Sequence, residues 1–155
     1  MLPVKKVLCP TDFSDPSARG LAAAVEIAQA ENAELLIVHV VGTIPAVESP
    51  SGAAAFDIAS YQDELVRSAR AALEERRRRR VPEGVKARTL VSVGDAAHEI
   101  ARIAEDEGVD LIVVSTHGKT GWRERIFGSV AEKIVRLARC SVLTIPCYPA
   151  GSCPR

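Results

Sequence analysis

The stretch STHGKTGWRERIFGS, residues 115–129, concentrates residue types that hold anions. Gly118, Gly121 and Gly128 let a backbone turn sharply and come close to a ligand. Lys119, Arg123 and Arg125 add positive charge. Gly128-Ser129 stands immediately before Val130–Leu137, whose spacing predicts a helix. A helix N-terminus offers free backbone N–H groups and a partial positive charge, so it attracts anions. The Ser129 hydroxyl is suited to cap that helix or to bond a phosphate. The pieces fit a phosphate cradle. They also fit a plain turn, with Gly118 and Gly121 as turn residues and Ser129 as an N-cap. Local chemistry alone does not separate the two.

Other motifs are weaker. Gly118-Lys119-Thr120 is similar to the end of a P-loop, but the first glycine of that motif would fall at Val113, inside an apolar run. A GxGxxG dinucleotide fingerprint is absent. His98-Glu99 lacks the second histidine of a zincin, and His39, inside an apolar run, reads as a core histidine. Cys9, Cys140, Cys147 and Cys153 form no CxxC pair, so we expect no zinc ribbon and no metal site. Cys9 and Cys140 read as small buried residues. No activated nucleophile, carboxylate pair or oriented base is legible, so no catalytic residue is assigned.

The elements that must position these residues alternate. Val4–Cys9 reads as a strand, broken by Pro10-Thr11-Asp12-Phe13. Ser14 or Asp15 caps a helix that carries Pro16 in its first turn and runs to about Glu31, where Asn32-Ala33 ends it. Glu34–Val41 is a strand buried on both faces. Gly42–Ala55 is loop. Phe56–Arg80 is a long helix with Ile58, Leu65, Ala69, Ala72 and Leu73 inward. Val85–Val93, Asp110–Val114 and Ser141–Pro146 read as further strands, with helices at Ala96–Glu107 and Ser129–Ala138 between them. Strands alternating with helices give parallel βαβ units, an α/β fold that binds ligands at the carboxyl ends of its strands.

Composition agrees with one domain over residues 1–146 and a short tail, 147–155. Aromatics are 4% of the chain, so Val, Ile, Leu and Ala must build the core. The 20 acidic and 20 basic residues cancel, which argues against a nucleic-acid partner. The run Arg76–Arg80 lies at a helix C-terminus, where the dipole favours cations, and reads as a solvated face. No apolar run approaches a membrane span, and the N-terminus shows no signal-peptide pattern, so a cytoplasmic location is expected.

Ser115-x-x-Gly118, nine residues, then Gly128-Ser129 resembles the nucleotide-binding signature of the universal stress protein family. Val7–Ser14 looks like the family's first strand and acidic turn, Leu36–Val40 its second strand, and Val142–Pro146 its closing strand. The resemblance covers residues 4–146. It implies a five-stranded parallel sheet of order 3-2-1-4-5 with helices on both faces, a cleft for ATP or AMP, Mg²⁺ accompanying ATP, and a homodimer. By resemblance Asp12 and Val40 face the adenosine, with Pro10 and Thr11 beside them. Val114, Ser115, His117 and Gly118 line the nucleoside and phosphate path, and Gly128, Ser129, Val130 and Ala131 hold the phosphates. Ser115 replaces the first glycine of the signature. A carboxylate at Asp12 does not favour phosphate, so it should meet ribose hydroxyls or a base N–H; the alternative is an Asx turn ahead of the helix. His117 reads as a loop or phosphate contact.

Three functions follow: a regulatory nucleotide-binding module of the stress response, a slow ATPase or phosphotransferase, and a nucleotide-free dimeric interaction module. In the order 3-2-1-4-5 the last strand is an edge. Ser141–Pro146 carries Val142, Leu143 and Ile145 and no charge, which calls for a cover. A second copy pairing around Val142 and Thr144, or their neighbours Leu143 and Ile145, supplies one.

Overall fold

The computed structural model describes residues 3–45, 57–116 and 128–146. The readings for His117, Gly118, Gly121, the loop cations, most of the 42–55 loop and the tail cysteines fall outside them.

The chain alternates from end to end: β1 (Lys6–Pro10), α1 (Asp15–Glu31), β2 (Glu34–Val41), α2 (Ile58–Arg80), β3 (Ala87–Val93), α3 (Ala96–Asp106), β4 (Leu111–Ser115), α4 (Ser129–Leu137) and β5 (Ser141–Ile145). The strands form one parallel sheet of order β3-β2-β1-β4-β5, as expected.

Period-two alternation splits the core in two. Val7, Cys9, Leu35, Ile37 and Val113 face α1 and α2, meeting Leu21, Ala24 and Leu73. Leu8, Leu36, Val38, Ile112 and Val114 face α3 and α4, meeting Ile100, Ile103, Ala131 and Ile134. The inward stripe of α1 is Ser17, Gly20, Leu21, Ala24, Val25 and Ala28, the spacing of one helical face. Ser14 caps α1, and Asn32 closes it in a left-handed conformation, φ 53°.

Three sequence readings need correction. Ala72 points outward; the buried residues of α2 are Ala69 and Leu73. Arg76 is not part of a solvated face. It continues the stripe Ala69–Leu73 by three residues and turns inward, half-buried. Cys140 is half-buried, whereas Cys9 is fully buried, and burial pushes its thiol up to about 12.

The amino ends of the strands are joined by charge. Arg88 on β3 pairs with Glu34 on β2 at 2.6 Å and with Glu107 after α3. Lys6 on β1 lies 3.6 Å from the Glu107 carboxylate and donates to its carbonyl at 2.6 Å. Asp110 accepts from the Lys5 and Lys6 amides at 2.8 and 2.9 Å. Hydrogen bonding from Arg88 holds the Glu107 carboxyl below its ordinary 4.5. A depressed folded-state pKa gives stability that is full above the unfolded value and lost as pH falls through the folded one. Glu107→Gln should therefore flatten the fall in stability between about pH 5 and about pH 3. Urea unfolding at stepped pH reads this; a profile as steep as wild type would place the acid sensitivity elsewhere.

Candidate functional site

The site begins where β1 lets go of the sheet. Thr11 makes one more ladder bond, its amide to the Val38 carbonyl at 2.8 Å, and the chain then turns away. Thr11 is buried. Its hydroxyl accepts from the Phe13 amide at 3.1 Å and lies 3.0 Å from the Ser17 hydroxyl. Ser17 spends its own proton on the Ser14 carbonyl at 2.8 Å, so Thr11 is the donor in that pair. Asp12 Oδ1 accepts from the Ser14 amide at 3.0 Å, which is an Asx turn. Asp12 also lines a cavity, so the two readings of this residue are compatible.

Phe13 sits at φ 66°. A bulky side chain there costs on the order of 1–2 kcal/mol. Its ring meets that of His39 at a centroid distance of 4.5 Å. His39 Nδ1 is 2.7 Å from the Thr11 carbonyl. A carbonyl only accepts, so Nδ1 carries the proton.

Across the sheet, β4 ends at Ser115. The Thr116 amide donates to the Ile145 carbonyl at 3.0 Å, and the Gly128 amide donates to the Thr116 carbonyl. That second bond brings the start of α4 to the end of β4. Gly128 is the N-cap of α4, at φ −69° and ψ 152°. Any residue adopts that conformation, so glycine is not there for its dihedrals. Among the described residues no side chain caps α4. Ser129 is the first helical residue rather than the cap, which removes the capping alternative for its hydroxyl.

Between these two ends lies a cavity of about 310 Å³. Pro10, Thr11 and Asp12 line one side, Gly128, Ser129, Val130 and Ala131 the other, and Val40, Val114 and Ser115 the remainder. Ten of the twelve residues expected at the site thus surround one space; His117 and Gly118 lie outside the described residues. Ser17, Val38, His39, Ala96, Ile100 and Thr116 also line it and were not anticipated. Ala96 and Ile100 were findable: α3 follows β3, so its first turn must stand at the same end of the sheet. Asp12 is the sole acid among the described lining residues.

Val40 has a particular aspect. In a parallel ladder, alternate residues turn both N–H and C=O toward the same neighbour. Val38 faces β1, so Val40 does too, but β1 pairs no further than Pro10 opposite Val38. The Val40 donor and acceptor therefore point at the cavity side.

The profile of the Universal stress protein family matches residues 3–146. The chain belongs to that family. It is 35% identical over 144 residues to universal stress protein YxiE of Bacillus subtilis, covering 90% of this chain and 97% of the relative. The solved universal stress protein UspA of Lactobacillus plantarum superposes with a TM-score of 0.79 at 27% identity, over 94% of this chain and 99% of that one. A universal stress protein in complex with cAMP superposes at 0.66 with 21% identity, over 94% and 98%, a likeness of fold alone. This family member has no helix among its described residues long and apolar enough to cross a membrane.

The cavity wall also depends on close helix packing. A Cβ on Gly20 of α1 would sit 3.3 Å from the Ser115 amide nitrogen and 3.7 Å from its Cβ. A strand backbone cannot step aside cheaply. Gly20→Val should cost about 1–3 kcal/mol by overpacking, read as a lower urea midpoint. An unchanged midpoint would mean that α1 slides freely over β4.

Proposed function

We propose that this universal stress protein binds an adenine nucleotide, ATP with Mg²⁺ or AMP, as a regulatory module of the stress response. The observation that carries the reading is the pairing of Asp12, across one cavity, with a helix N-terminus that no side chain among the described residues caps. Ser14, Asp57 and Asp95 cap the other three described helices with their side chains. Glycine at a cap costs only a few tenths of a kcal/mol relative to such residues, and it leaves the first N–H groups of α4 for an anion.

The nucleotide lies with its phosphates at Gly128–Ala131 and its nucleoside toward Asp12. The carboxylate repels phosphate and accepts from ribose hydroxyls. The base lies against Val38, Val40 and Ile100, with the Val40 N–H and C=O matching the acceptor N1 and donor N6 edge of adenine. Ser115, His117 and Gly118 complete the phosphate path. Mg²⁺ fits as a companion of the phosphates. It keeps most of its waters and needs only one or two protein oxygens; among the described residues no cluster of three acidic, histidine or cysteine ligands stands ready for it. The ion would neutralise phosphate charge beside Asp12. The cAMP complex of a protein with this fold supports an adenine nucleotide as the ligand class.

The same reading includes a homodimer through β5. This strand is a sheet edge, and Leu143 is 39% exposed on it. Val142 packs against the core between α3 and α4, and Ile145 against the α1 side, so Leu143 is the residue that a second copy covers. Leu143→Lys should convert a dimer into a monomer by sedimentation without loss of secondary structure. A wild-type chain that sediments as a monomer at tens of micromolar would overturn the dimer.

Ligand at about 100 Kd should stabilise the fold by about 2.7 kcal/mol. Gly128→Val keeps the fold, because its backbone angles suit valine, and crowds the phosphates. Its Kd for ATP should rise about tenfold or more, at least 1.4 kcal/mol. Thermal shift and titration calorimetry read both. If ATP, ADP and AMP at millimolar concentration leave the melting temperature unmoved, the nucleotide reading fails. ADP release from ATP that scales with protein and disappears in Gly128→Val would mark the molecule as an enzyme instead.

A further inference from the structure

The dipole of α2 accounts for cations at its end, but not for what Arg76 does. Its Nη2 donates to the Phe13 carbonyl at 2.9 Å. Its guanidinium carbon lies 5.4 Å from the centroid of the Phe13 ring. Its Nη1 reaches the Thr11 and Ser17 hydroxyls at 3.4 and 3.5 Å. These are the two hydroxyls that tie the turn after β1 to α1. No residue of α2 is among the described lining of the cavity, so Arg76 touches the site only through that turn.

We propose that Arg76 is a positioning residue for the nucleotide site: it holds Phe13 in its left-handed conformation and so fixes the turn that carries Asp12 into the cavity. The inference rests on the nucleotide reading above. Its physical core does not. Phe13 has a backbone conformation that phenylalanine avoids, φ 66°. Something must hold it there. The guanidinium grips its carbonyl and its ring together, the Thr11 hydroxyl grips its amide, and the His39 ring bears on its side chain. Of these, only Arg76 comes from outside the β1–α1 and β2 segments. Released, Phe13 would relax to negative φ, and Asp12, one residue earlier, would swing with it. A planar fork with several fixed donors suits this task; the point charge of a lysine does not.

The test uses the full chain and ATP with Mg²⁺ in titration calorimetry, with folding checked by circular dichroism. Arg76→Met keeps the aliphatic stem and removes the fork. Its Kd should rise at least tenfold, and Arg76→Lys should recover only part of the loss. Phe13→Gly added to Arg76→Met is the discriminating variant. Glycine adopts φ 66° without strain, so affinity should return toward wild type although the melting temperature falls further with the lost ring. A purely structural arginine would instead move affinity and stability in the same direction. A folded Arg76→Met protein with wild-type Kd overturns the proposal, as does a double variant that binds more weakly than Arg76→Met.

A ligand-free arm separates this from the reading on which it rests. The Phe13 and Ser14 amides donate to Thr11 Oγ1 and Asp12 Oδ1. Their hydrogen exchange should accelerate at least tenfold in Arg76→Met, with β2 unchanged. Unchanged exchange there overturns the role of Arg76. Wild-type protein that binds no adenine nucleotide overturns the nucleotide reading instead, while the exchange result still decides whether Arg76 holds the turn.

Discussion

The pairing of β1 with β4 is the constraint on which the site depends. The two strands match in register only at Val7–Leu111 and Leu8–Ile112, against five pairs between β1 and β2. From that short contact the chain departs in opposite directions. β1 is followed by α1 on one face of the sheet, and β4 by α4 on the other. A cavity at that point is a consequence of topology, before any side chain is chosen. The side chains then decide its chemistry: an apolar floor from Val38, Ile100 and Val114, a carboxylate at Asp12, and amide donors at α4.

Keeping the gap open requires that both departing segments be held. On the α4 side this is backbone work, through Thr116 to Ile145 and Gly128 to Thr116. On the α1 side it is side-chain work. Thr11, Ser14, Ser17 and Arg76 share hydrogen bonds within a few residues of a strained Phe13. Among the described residues no buried side-chain nitrogen or oxygen lacks a partner. Leaving such a group unpaired costs about 1–3 kcal/mol, so the closed hydroxyl network also protects the fold. The strain at Phe13 is offset locally, where the chain needs a sharp exit from β1.

Much of this was legible in the residues. The bounds of β2 follow from its apolar run, and the start of α1 from Ser14 and Pro16, because burial on both faces and capping are local effects. Gly128-Ser129 located the start of α4, although Ser129 is its first residue and not its cap. Periodicity was less reliable on α2. Ala72 and Leu73 are both apolar, and only contact with the sheet chooses between them. Arg76 was hidden by its type: a cation within a run of five reads as solvated, although its spacing from Ala69 and Leu73 already placed it on the buried stripe. His39 was read as a core histidine; it does lie within β2, but it is half-buried on the cavity wall, and that place depends on how far β1 extends, a property of the assembled sheet.

The charge pattern completes the argument for an anionic ligand at α4. The chain carries no net charge, so long-range attraction is not what would concentrate a phosphate. Binding must come from local donors. An acid in the first turn of α4, Glu132, would oppose an anion, yet it is paired with Arg136 at 2.8 Å and is directed along the helix. Lys133 lies 3.9 Å from Asp95, the cap of α3, so the acid nearest to the α3 terminus is also offset by a cation from α4. Both pairs are exposed and contribute little to stability, typically about 0–1 kcal/mol. Their greater effect is on the field at the cavity. Among the described residues Asp12 is the acid that lines the cavity, and it stands across it from the start of α4. A molecule with hydroxyls at one end and phosphate at the other fits that polarity in one orientation.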